Sequence, residues 1–353
     1  MIIEYSTNKS GFQYFKWKKF STLNEKSVLF EKSLFSYNKL TNTDRAFIIK
    51  TLIHGGFSMK KRIISAILAV CLIFGAVSVS AYAAQPRLSF DENGEFNILH
   101  LCDMQDGYPA KEEMMKYINR MLEVYKPDLV VLGGDNCVAK KEDKDAAIKE
   151  ICDVFVENET YFTLVFGNHD DEQGVDKDTL LKMYQKYGKK YCLAYDAVPS
   201  LTGVGTHNLP ILASDSLDVA YNLYMFDSGT SGHTDENGNG GYECVYPDQI
   251  NWFKATNNAY TALNGGKVIP SMAFQHIIVG EIMDVFYKEK SEVAISFDSK
   301  FCNGKEYDLT VADFSAIKDG MLTEPPCPGV ENYGQFDALV EQGTVAVFSG
   351  HDH

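Results

Sequence analysis

The chain has 353 residues, 45% hydrophobic and 23% charged, which excludes a disordered or fibrous protein and leaves room for one large or two average globular domains. Its formal net charge is −15, but the first 83 residues hold 12 Lys and Arg against 4 Asp and Glu, so the remainder carries −23. So acidic a body repels nucleic acid and anionic membranes, and it needs local positive charge, such as metal ions, wherever it is to hold an anionic substrate.

Met1–Ser58 is rich in Lys, Phe, Asn and Ser and shows no clear periodicity. Met59-Lys60-Lys61-Arg62 then opens a basic segment, Ile63 to Val79 is apolar, and Ala81-Tyr82-Ala83 offers a small-x-small cleavage pattern. Residues 59–83 therefore read as a secretory signal peptide cut after Ala83, in preference to an anchor, because the apolar run is near the short limit for spanning a bilayer. A secreted or extracytoplasmic protein with no membrane span after cleavage is expected. Since such a signal belongs at a translation start, residues 1–58 are expected to be a spurious or disordered upstream segment. Residues 84–353 then form a single domain.

Within that domain Phe96–Cys102 is a short apolar run that stops at Asp103. Lys111–Tyr125 has helical spacing. Leu129–Leu132 is a second apolar run, ending in Gly-Gly-Asp. Asp145–Val156 is helical again, and Tyr161–Phe166 is a third run, ending in Gly-Asn-His-Asp. Strand, helix, strand, helix, strand predicts parallel strands buried on both faces. Asp176–Tyr187 reads as a helix, Val219–Phe226 as a strand, Pro247–Thr261 as a helix with proline at its start, and Ile269–His276 as a strand. Ser291–Asn332 is polar and Pro-rich and reads as a long loop. Gln335–Glu341 is a short helix, and Thr344–Ser349 is a strand that runs into Gly350-His351-Asp352-His353. A domain that ends on its own candidate site is expected to be C-terminally truncated.

The chemistry gathers at strand ends, where α/β sheets bind ligands. Four clusters stand there: Asp103-Met104-Gln105, Gly134-Asp135-Asn136, Gly167-Asn168-His169-Asp170 and Gly350-His351-Asp352-His353. His276 ends a fifth strand. This mixture of hard oxygen and imidazole donors suits first-row metals. Seven cysteines follow Ala83 without a C-x-x-C pair, so neither a disulfide framework nor a zinc–thiolate site is indicated. His100 and Cys102 are expected in the core, His207 and His233 in surface loops.

The order D-x-Q, G-D, G-N-H-D, H, G-H-x-H resembles the calcineurin-like metallophosphoesterase superfamily over residues 95–353. Asp227-Ser228-Gly229, Tyr246-Pro247-Asp248-Gln249-Ile250 and Asn332-Tyr333-Gly334-Gln335-Phe336 resemble its purple-acid-phosphatase-related branch. The resemblance implies an α+β fold, an αββα four-layer sandwich here lacking its C-terminal strands. It implies a dinuclear centre of two divalent or trivalent ions (Mn, Zn or Fe). Asp103, Gln105, Asp135 and His353 would hold one ion, and Asp135, Asn168, His276 and His351 the other, with Asp135 bridging. His169 would bind the phosphoryl group and protonate the leaving oxygen, with Asp170 orienting its ring. Two ions about 4 Å apart can clamp both ends of an in-line displacement. The implied activity is hydrolysis of a small-molecule phosphate ester by metal-bound hydroxide. A phosphodiesterase or nucleotide pyrophosphatase, or an inactive metal-binding surface protein, are the alternatives. Two departures matter. Gln105 stands where the family has His, and Val138 stands where the purple enzymes have a metal-binding Tyr, which disfavours Fe(III) and its colour.

Overall fold

The computed structural model describes residues 2–7, 13–18, 86–290, 299–319 and 322–352. The signal-peptide reading of residues 59–83, and His353, lie outside the described residues.

The elements run β1 (Ile2–Thr7), β2 (Gln13–Lys18), β3 (Leu88–Ser89), β4 (Asn97–Leu101), α1 (Glu112–Tyr125), β5 (Leu129–Gly133), α2 (Lys144–Glu157), β6 (Phe162–Val165), α3 (Lys177–Gly188), β7 (His207–Leu212) and β8 (Val219–Met225). They continue with β9 (Ser231–Thr234), β10 (Gly240–Tyr242), α4 (Pro247–Leu263), β11 (Ser271–Phe274), α5 (Ile282–Phe286), β12 (Tyr287–Glu289), β13 (Ser299–Cys302), β14 (Lys305–Ala312), α6 (Gln335–Glu341) and β15 (Thr344–Phe348). The fold is mixed α/β with several sheets, as the resemblance implies.

One five-stranded sheet has the order β1-β2-β4-β5-β6, with β4, β5 and β6 parallel as their apolar runs require. The upstream segment, aperiodic in sequence, supplies two strands at one side of it, β1 pairing antiparallel with β2 and β2 with β4. A second five-stranded sheet has the order β15-β11-β8-β7-β3, in which β8, β11 and β15 are parallel. Alternate residues of β5 enter different cores. Leu129 and Val131 share one with Leu223, Met225 and Phe274 of the second sheet, whereas Val130 and Leu132 share another with Ile118 of α1 and Ile148 of α2. On the second sheet Tyr224 and Ala273 pack with Phe253 of α4 and Leu339 of α6.

The helix ends follow local chemistry. Asp176 caps α3 by accepting from the Thr179 N–H at 2.8 Å. Pro247 opens α4, and the Gln249 side chain accepts from the Tyr246 N–H at 2.7 Å.

The stretch read as a long loop, Ser291–Asn332, instead contains β13 and β14, which form a three-stranded antiparallel sheet with β12. The signal was Asn303-Gly304, both at positive φ (55° and 69°), the residue pair that turns a tight hairpin. The polar composition of its strands hid it. His207 is likewise not in a surface loop. It starts β7 and is fully buried, and Pro210 within the same strand obscured the strand pattern. His233 lies on β9, half-buried against Glu331 at 2.8 Å. Among the described residues no helix is long and apolar enough to cross a membrane.

Candidate metal centre

The carboxyl ends of β4, β5 and β6 in one sheet, and of β11 and β15 in the other, deliver the candidate residues to one place. Each chain segment must turn sharply as it leaves its strand. Among the described residues eight non-glycine residues have positive φ, and four of them are Asp103, Gln105, Asp135 and His351. Such backbone strain collects at functional sites. Gly134, itself at φ +95°, lies under the His276 ring, and a Cβ on Gly167 would land inside the Asp135 carboxylate. Both positions must stay bare for the side chains above them to fit.

Asp135 is buried at the middle. His276 Nε2 lies 3.3 Å from its Oδ2, Gln105 Nε2 donates to the same oxygen at 3.2 Å, and the His169 N–H donates to Oδ1 at 2.8 Å. Asp103 Oδ1 lies 3.9 Å from His276 Nε2, so Asp103, Asp135 and His276 form a set of donors that could hold an ion. The His351 N–H reaches both Asp103 oxygens at 3.1 and 3.2 Å, and the rings of His351 and His276 lie 5.2 Å apart. Gln105 thus arrives as an amide donor to Asp135.

The charge pattern follows. Burial raises the Asp103 carboxyl above its ordinary range, against the pull of His276. Burial also opposes charge on His276, but the Asp135 and Asp103 carboxylates outweigh it and raise its pKa. Burial beside His276 drops His351 to about 4.

Whether these residues fit a cation can be tested on the donors themselves. Both side-chain polar atoms of Asn168, His276 Nε2 and His351 Nε2 are buried and make no hydrogen bond. Orphaned polar atoms of this kind cost about 1–3 kcal/mol each. Asn168 Oδ1 and the two imidazole nitrogens are Lewis bases in one cluster with two carboxylates, so the set fits a divalent cation.

The assignment of Asp170 needs correction. Its carboxylate does not touch the His169 ring. It accepts from the backbone N–H groups of Gly167, Asn136 and Cys137 at 2.8, 2.9 and 3.1 Å, and burial pushes it up to about 6. Asp170 therefore binds the loop after β5 to the loop after β6. Buried Lys144 supports it, donating to the Cys137 and Asp170 carbonyls at 2.7 and 3.0 Å. The residue that holds the His169 ring is Glu172, whose Oε2 is 2.6 Å from Nδ1. Position three after a histidine gave no motif, so the sequence reading missed it.

The branch motifs brace the His276 strand. Ser228 Oγ accepts from the Ile277 N–H at 2.8 Å, Gln249 Nε2 donates to the Asp227 carbonyl at 2.8 Å, and Gln335 Nε2 donates to Gln275 Oε1 at 2.5 Å.

Fold and candidate metal site together match a phosphoesterase domain. The chain belongs to the calcineurin-like phosphoesterase family, whose model matches residues 96–353. It is 26% identical to probable inactive purple acid phosphatase 14 of Arabidopsis thaliana over 83% of this chain and 75% of that one. It is 27% identical to probable inactive purple acid phosphatase 29 of the same plant, over 78% and 71%. Phosphatase DCR2 of Saccharomyces cerevisiae is 23% identical over 56% of this chain and 37% of its own length.

Proposed function

We propose that the chain is a secreted, metal-dependent phosphoesterase that hydrolyses small-molecule phosphate esters at a two-ion centre. One ion would be held by Asp103, Gln105, Asp135 and His353, the other by Asp135, Asn168, His276 and His351. The ring of orphaned donors around Asp135 carries this reading. Ions held there would neutralise phosphoryl charge and lower the pKa of water. The protein's own part is positional. Asp135 is oriented by the Gln105 amide and the His169 N–H, and His169 stands at the rim with its side chain 40% exposed and Nε2 3.9 Å from Asp135 Oδ2. From there it can donate to a phosphoryl oxygen and pass a proton to the leaving oxygen. The basic, apolar and Ala-Tyr-Ala sequence of residues 59–83 supports export, with residues 84–353 as the mature domain.

The test is hydrolysis of p-nitrophenyl phosphate and bis-p-nitrophenyl phosphate by protein stripped of metal and reloaded with Mn²⁺, Zn²⁺ or Fe²⁺, with metal content measured in parallel. Activity should vanish on stripping and return on loading, and preference for the bis ester would point to a phosphodiesterase. Full activity without metal would overturn the reading. Amino-terminal sequencing of exported protein should begin at Ala84. The names of the two Arabidopsis relatives favour a second reading, a protein that binds metal without hydrolysis. Stoichiometric metal with neither ester cleaved would select it.

A further inference from the structure

Beside that centre a second group of donors converges that the sequence reading kept apart. Cys327 Sγ, a ring nitrogen of His351 and a carboxylate oxygen of Asp352 all lie within 4.8 Å of one another. Cys327 sits in Pro325-Pro326-Cys327-Pro328, a run with no motif of its own. Its N–H donates to Asp352 Oδ1 at 2.7 Å, which ties this loop to the exit of β15. His351 is fixed from two other directions, its N–H on the Asp103 carboxylate and its ring 4.4 Å from the edge-packed ring of Tyr242. Its Nε2 is buried and makes no hydrogen bond. The three donors are therefore set by the backbone and by packing.

The donor chemistry differs from that of the Asp103–Asp135–His276 set. A thiol with an imidazole and one carboxylate is softer, and it suits zinc and its thiophilic relatives over Mg²⁺ or Mn²⁺. We propose that Cys327, His351 and Asp352 form a sulfur-containing site for a thiophilic divalent cation, of the Zn²⁺, Co²⁺ or Cd²⁺ class, abutting the two-ion centre and sharing His351 with it. As the metal–sulfur bond forms, the thiol proton leaves to solvent, and when both sites are filled the His351 ring proton leaves with it, so that each ring nitrogen serves one ion. Lys300 meets the sulfur, with Nζ 2.5 Å from Sγ and 3.3 Å from the Pro326 carbonyl, while Sγ also faces the Pro325 carbonyl at 3.4 Å. An incoming cation displaces this ammonium, which a flexible four-carbon stem permits. Lys300 is thus the built-in competitor for the site.

The experiment titrates metal-free full-length protein with Co²⁺ and records its absorption. Wild type should develop a sulfur-to-cobalt charge-transfer band in the near ultraviolet. Cys327→Ser, folded by circular dichroism, should lose that band and one equivalent of bound cobalt. It should keep the visible bands of cobalt held by oxygen and nitrogen at the neighbouring centre. Absence of those visible bands would count against the two-ion reading, and absence of the ultraviolet band against the sulfur site, so the two fail separately. Lys300→Met, which leaves every donor in place, should bind Cd²⁺ more tightly. Cobalt bound without the ultraviolet band in wild type, a band that survives in Cys327→Ser, or weaker Cd²⁺ binding in Lys300→Met would each overturn the proposal.

Discussion

Lys177 and Asn168 are both buried polar side chains, and the fold treats them in opposite ways. Lys177 Nζ has an ion pair with Asp227 Oδ1 at 2.8 Å and a hydrogen bond to the Gly229 carbonyl at 2.9 Å. Asp227 in turn accepts from the N–H groups of Val204 and Gly229 at 2.8 and 3.0 Å. Asn168 has no such company, and neither its Oδ1 nor its Nδ2 makes a hydrogen bond. A folded chain pairs the polar groups it buries for its own stability. Groups left orphaned next to carboxylates are reserved for something the chain binds. The same division separates Asp170 and Lys144, which are fully engaged in joining loops, from His351, whose Nε2 makes no hydrogen bond.

The comparison makes its largest demand on Asn168→Ala. Under the proposed function this substitution should lower hydrolysis of p-nitrophenyl phosphate by more than about 10²-fold, the scale of losing one group that stabilises transition-state charge. Metal-free stability should stay level or rise, because two orphaned polar atoms are removed. A large fall in the metal-free melting temperature would break the comparison, since it would make Asn168 a structural residue.

Lys177→Met should do the reverse. It strands the Asp227 carboxylate in the interior, at a cost of about 3–5 kcal/mol to unfolding in urea. Metal content per folded molecule should be unchanged. Equal effects of the two substitutions on stability would remove the distinction between paired and orphaned groups.

A third prediction concerns acid. His207 is buried on β7, with Nε2 2.7 Å from Thr163 Oγ1 of β6 and Nδ1 2.6 Å from the Gly205 carbonyl. The Thr163 contact crosses between the two large sheets. Burial drops the His207 pKa to about 4. Its ordinary value is 6.5, so the unfolded chain takes up a proton first as pH falls. The stability this group contributes is present in full above pH 6.5 and is lost progressively toward pH 4, about 3 kcal/mol in all. His207→Gln does not titrate, so its urea midpoint should fall less steeply over that range. An unaltered slope would show that His207 does not set the acid limit.

The legible parts of this molecule were those in which one residue type has few alternatives. The parallel strands showed because β5 is apolar along its whole length, and Asp135, Asn168 and His276 showed because each ends a strand. What stayed hidden depended on pairing across long sequence distances. Cys327 meets His351 only after the chain has formed β14 and returned along β15, and no local pattern encodes that. The β12–β14–β13 sheet hid behind its polar composition, although Asn303-Gly304 marked its turn. Asp170 was misread for a related reason: a carboxylate next to a histidine suggests a ring partner, but the tight turn after β6 aims it back at backbone N–H groups.

Glu172 is the smallest and sharpest test of that correction. Its Oε2 holds His169 Nδ1 at 2.6 Å, and its other oxygen is 3.4 Å from Ser231 Oγ. The carboxylate thus fixes the plane of a ring that is otherwise 40% exposed and free to turn. If His169 delivers a proton to the leaving oxygen, loss of this contact spreads Nε2 over several orientations and wastes most of them. Glu172→Ala should then lower kcat by roughly 10-fold, within the ~10²-fold that misplacing a reacting group can cost. KM and metal content should move little, because no donor to the centre has changed. A substrate whose leaving group needs no protonation, such as p-nitrophenyl phosphate, should feel the substitution less than an alkyl phosphate. Equal losses on both substrates would leave Glu172 as a structural neighbour, and a larger loss with Asp170→Asn on the alkyl ester alone would return the orienting role to Asp170.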